Sequence, residues 1–131
     1  MTNGAEPIVF ISHFRVKEGM LDRFKELARK VTLQLQAERP RTLAYLFYLS
    51  PSGSEATIVH VFPDADSMDL HGQGSEERSR VAFKFVVPQG WETYGTPSNA
   101  ALEQMREAAS AAGVTLTIQP DYLDGFLRRP D

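Results

Sequence analysis

Cysteine is absent from the 131 residues, which excludes disulfides, thiolate nucleophiles, iron–sulfur clusters and cysteine-ligated zinc. No apolar run approaches the ~18 residues that a membrane-crossing helix needs, so no membrane span is expected. Basic charge is scarce. Fourteen Lys and Arg stand against 17 Asp and Glu, a net charge of −3, whereas a nucleic-acid-binding domain wants clustered basic residues. The opening "MTNGAEP" has no apolar signal-peptide core, and a cytoplasmic protein is the expectation. A phosphate-cradling loop is also missing: "HGQGSE" lacks the lysine and lies inside a helix candidate rather than opening one after a strand. No G-x-S-x-G elbow occurs. What remains is a chain with 42% hydrophobic and 24% charged residues, the profile of one soluble domain large enough for a core.

Residues 1–6 are expected to be a disordered leader, and residues 7–131 a single domain. "PIVFISHFRV" alternates as a strand, with Ile8, Phe10, Ser12, Phe14 and Val16 on one face and Val9, Ile11, His13 and Arg15 on the other. Both faces are largely apolar, which predicts a central strand. "KEGMLDRFKELARKVTLQLQAE" carries Leu21, Phe24, Leu27, Ala28, Val31 and Leu35 at helical spacing, and Pro40 stops that helix. "RTLAYLFYL" and "ATIVHVF" flank the turn "SPSGSE" as a hairpin. Asp64 and Asp66 are candidate caps for a second helix from about Ser67 to about Val86, weakened by Gly72 and Gly74.

Residues 88–113 then divide into a loop, "VPQGWETYGTP", and an extra helix. Thr96 and Pro97 are expected to open that helix, and Gly113 to cap it. "VTLTIQP" alternates as the last strand. The order is the ferredoxin-like βαββαβ pattern, α+β in class, with an antiparallel sheet, helices on one face and one extra helix before the last strand. The other face carries large apolar groups, including Leu46 and Tyr48. An apolar face of that extent predicts a homodimer joined sheet to sheet.

The second helix raises the functional question. On a helical wheel centred on His71, Ala82, Phe85 and Met68 fall within about 60° and Arg78 at about −20°. An imidazole is thus placed in an apolar arc and needs a partner. One reading is a core histidine bonded to a carbonyl or water. The other is a pocket between helix and sheet in which His71 acts as a general base. His60 on the third strand and His13 on the first are adjacent candidates for substrate contact, with Tyr45 and Arg78. Trp91 and Tyr94 stand ready to close a pocket mouth or to pack the extra helix. Three histidines near one sheet also invite a zinc site, but their spacing matches no ligand motif, and no metal is expected.

"FRVKEGMLDRFKELARK" and "IVHVFPDADSMDLH" resemble segments of the dimeric α+β-barrel superfamily, and within it proteins like the antibiotic-biosynthesis monooxygenases. His71 sits where that family places a pocket-facing His. The resemblance covers residues 7–87 and, more weakly, 114–127. It implies a ferredoxin-like protomer, a sheet-to-sheet dimer, and a pocket in which some members oxidise polycyclic phenols or quinols with oxygen and neither metal nor flavin. No cofactor is therefore expected, and the ligand would be a small aromatic or quinone-like molecule. Three departures stand out. His60 replaces a common Glu, no Trp precedes His71 on the second helix as in the haem-degrading branch, and segment 88–113 exceeds the usual link. The competing reading is a non-catalytic dimeric binding or interaction module with His71 as a satisfied core residue.

Overall fold

The computed structural model describes residues 6–128. Apart from Glu6, the leader therefore lies outside the described residues. The elements run β1 (Ile8–Val16), α1 (Leu21–Glu38), β2 (Ala44–Leu49), β3 (Glu55–Phe62), α2 (Ala65–His71), α3 (Ser75–Ala82), β4 (Val86–Tyr94), α4 (Asn99–Ala112) and β5 (Thr115–Gln119). They build one five-stranded sheet in the order β2-β3-β1-β4-β5. β1 lies centrally between β3 and β4, as its two apolar faces predict. Strands β2, β3, β1 and β4 pair antiparallel, which is the ferredoxin-like set. β5 pairs parallel to β4, so the sheet is not wholly antiparallel. A parallel neighbour needs a crossover, and α4 supplies it.

The loop expected at the start of 88–113 is corrected to a strand. Pro88 and Gly90 look like loop residues. In β4 they pair with Phe14 and His13 across a register shift, and a bulge is where a sheet tolerates proline. Trp91 and Tyr94 are thus strand residues. Helix α4 starts slightly later than expected: Ser98, rather than Thr96, is the cap and accepts from the Ala101 N–H at 3.1 Å. Thr96 instead donates to the Pro120 carbonyl. Gly113 does cap the end, with φ +68°.

The single helix expected from Ser67 to Val86 is broken into α2 and α3. Asp64 caps the first, accepting from the Ser67 N–H at 2.7 Å. Gly74, at φ +80°, turns the chain through a conformation that side-chain-bearing residues resist. Arg78 secures the break by donating to the carbonyls of His71 at 2.7 Å and Gln73 at 2.8 Å.

All the helices bear on one face of the sheet, and two buried clusters fasten them. Phe14, Val16, Phe24, Ala56 and Val86 form one. Ile8, Phe62, Met68 and Met105 form the other. No helix among the described residues covers the opposite face. There Leu46–Val59–Ile11 and Tyr48–Thr57–His13 lie in cross-strand rows, with Leu46 44% and Tyr48 57% exposed.

Candidate functional site

Between the two clusters lies a cavity of about 530 Å³. Its floor is the helix-side face of the sheet, including Phe10, Ser12, Ile58 and Trp91. Leu27, Ala28 and Val31 of α1 form one wall, which explains why that part of the apolar stripe is only half-buried. Ala101, Gln104 and Met105 of α4 form another. Period-2 alternation puts Tyr45, His60 and Phe10 in one row across β2, β3 and β1. α2 then lays His71 above that row.

The result is an aromatic nest holding two imidazoles. The rings of His60 and His71 lie 5.3 Å apart, edge to face. Tyr45 is 5.1 Å from His60 and 5.4 Å from His71, and Phe62 is 5.1 Å from His71. Both imidazoles are buried, yet both line the cavity. His60 Nδ1 is 2.9 Å from the Phe10 carbonyl. His71 Nδ1 is 2.8 Å from the Thr42 hydroxyl.

Charge in the nest is one-sided. Arg78 lines the cavity and stands close enough to act electrostatically on both imidazoles and on Tyr45. Burial, opposed by the Phe10 hydrogen bond and assisted by Arg78, brings the pKa of His60 down to about 4. Burial and then the neighbouring His60, Arg78 and Arg39 bring that of His71 down to about 3. Burial pushes the Tyr45 phenol up to about 12. At neutral pH the nest therefore holds two uncharged imidazoles, each with one nitrogen lone pair, and an intact phenol beside a guanidinium.

His71, His60, Tyr45, Arg78 and Trp91 thus meet at one cavity. His13 does not join them. It points to the open face, where its Nε2 meets Glu92, which also accepts from the Tyr94 hydroxyl. The reason is strand parity: His13 sits an odd number of residues from Phe10 and Ser12. A three-histidine metal site is thereby ruled out in geometry, and no group of three His, Cys, Asp or Glu among the described residues is arranged to hold a metal. Among the described residues no helix is long and apolar enough to cross a membrane. Thr42 and the Phe10 carbonyl escaped the sequence reading. Thr42 precedes β2 in a segment without periodicity, and a carbonyl carries no residue signature.

No protein-family model matches the chain, and no curated protein sequence does. Solved structures do match. MupZ from Pseudomonas fluorescens is 19% identical, covers 95% of this chain and 96% of its own, and superposes with a TM-score of 0.68. SnoaB, a cofactor-independent oxygenase from Streptomyces nogalater, is 13% identical over 72% of this chain and 97% of its own, with a TM-score of 0.58. A Caulobacter crescentus protein assigned as an antibiotic biosynthesis monooxygenase is 14% identical over 66% and 86%, with a TM-score of 0.59. The MupZ coverage is too broad to leave α4 and β5 outside the likeness, whereas the two smaller shares leave room for both to fall outside. At these identities the likeness is one of architecture: the chain has the ferredoxin-like fold of the antibiotic-biosynthesis-monooxygenase-like proteins.

Proposed function

We propose that the chain binds a small aromatic, phenol- or quinol-like molecule in the cavity and oxygenates it without a cofactor, with His71 as the general base. The observation that carries this reading is the cavity itself, about 530 Å³ of largely apolar space ending at two buried, neutral imidazoles. A histidine serving only as core would stand in close packing. Open space of this size beside His71 favours a ligand. The oxygenase SnoaB shares the fold and supports the choice of reaction.

In this proposal the ring of the substrate lies on Phe10 and Trp91, and its hydroxyl reaches the nest. His71 takes the hydroxyl proton, a transfer that burial of the imidazole opposes and that the pairing of the resulting imidazolium with the substrate anion offsets. The electron-rich anion so formed lies beside Arg78, which favours it electrostatically. The substrate then reduces dioxygen: one oxygen atom enters the product, the other leaves as water, and the two extra electrons come from the ring. The protein supplies the base, the cation and a water-poor enclosure. The open face of the sheet pairs with a second copy, in keeping with its exposed Leu46 and Tyr48.

The test is oxygen uptake with a panel of polycyclic phenols, wild type against His71→Ala. Turnover should vanish in the variant while circular dichroism and oligomeric state stay unchanged. Undiminished turnover, or a variant that no longer folds, would instead make His71 a packing residue.

A further inference from the structure

The hydrogen bond of His60 has a consequence for which substrates fit. A carbonyl oxygen can only accept, so at 2.9 Å from the Phe10 carbonyl the Nδ1 of His60 must carry a proton. The ring is fixed by neighbours on several sides. Phe10 and Tyr45 stand at 5.1 Å and Phe62 stacks at 6.0 Å, so it cannot flip Nδ1 away from that carbonyl without disturbing the nest. The charge state follows from the same surroundings: the imidazole is buried and Arg78 is the nearby cation. Its remaining nitrogen, Nε2, therefore presents a lone pair. Among the described residues nothing donates to it, and it is not one of the sealed, unpartnered polar atoms. His60 lines the cavity, which is where that lone pair would find a donor.

His71 imposes no such rule. Its Nδ1 partner is the Thr42 hydroxyl, which can donate or accept.

We propose that His60 is a specificity-determining residue whose Nε2 acts as an obligate hydrogen-bond acceptor, so that the cavity selects the hydroxyl-bearing, reduced form of an aromatic ligand over its quinone or ether. This rests on the ligand-binding reading given above, and adds to it the residue that enforces the preference for a phenol or quinol. A quinone carbonyl or an ether oxygen brought to the same place sets two acceptors against each other, and a buried acceptor left without a donor is costly.

Trp91 is the only tryptophan and lines the cavity, so its fluorescence reports occupancy. Titration with naphthol, its methyl ether and naphthoquinone tests the selection. Wild type should bind naphthol about tenfold or more tightly than either acceptor-only analogue. His60→Phe keeps the ring's bulk without its nitrogens and should bind naphthol and the ether alike. Equal affinities in wild type, or a preference that survives in His60→Phe, would overturn the proposal while leaving the cavity reading intact. Failure of every probe to bind would overturn both. Should His60→Phe not fold, the imidazole nitrogen chemical shifts of wild type decide. A protonated Nδ1 and bare Nε2 on His60 are expected, and the reverse tautomer would end the proposal.

Discussion

His60 and His71 are costly residues to bury, and acid should expose that cost. Both have folded-state pKa values below the ordinary 6.5, at about 4 and about 3. The unfolded chain therefore takes up protons first as pH falls. The full stability contribution is present above about pH 6.5, and it drains away as pH drops toward 4 and then 3. Protonating either imidazole puts a charge into a buried nest beside Arg78, so acid weakens the folded state through both residues. Urea unfolding at a series of pH values should show midpoints falling across that window, and His60→Phe should flatten the slope. A slope unchanged in that variant would mean that other groups set the acid limit. The inward placement of His71 was legible from the spacing of its apolar neighbours. The pairing with His60 was not, because it depends on β3 lying under α2, a contact between segments that carry no mark of each other.

At the scale of elements, periodicity located most of the helices and strands and failed where glycine and proline spoke for turns. The segment "VPQG" looks like a loop because Pro88 and Gly90 are poor strand formers. The bulge opposite His13 and Phe14 accommodates them, and such a register shift has no signature in one strand alone. Gly72 and Gly74 gave the opposite lesson, since the weakness they announced in the helix became a full break. Gly74→Ala should cost about 1 kcal/mol, since alanine must adopt the left-handed backbone of φ +80°. Ser98→Ala should cost about the same by removing the cap on α4. Chemical denaturation measures both. A neutral result at Gly74 would mean that the α2–α3 junction relaxes freely.

For the whole molecule, the open face is the unmet demand of the fold. If a second copy covers it, Tyr48→Glu places a charge in the joint and should shift the protein from dimer to monomer in light scattering, with the helical signal kept. A wild-type monomer would refute the sheet-to-sheet pairing. Alternating apolar residues made this face visible in the sequence, and they also set His13 on it, against the expectation that it contacts substrate.

The parallel strand β5 is a small departure with a large effect. Without α4 and β5, the trough between α1 and α2 would be missing its flank along β4, where Ala101, Gln104 and Met105 now stand. Helix α4 is thus a partition set along one side of a room. It comes from a different stretch of chain than the strand row that carries Tyr45 and His60, so re-cutting α4 alone is a way to reshape one wall of the cavity while the corner with the two imidazoles stays as it is.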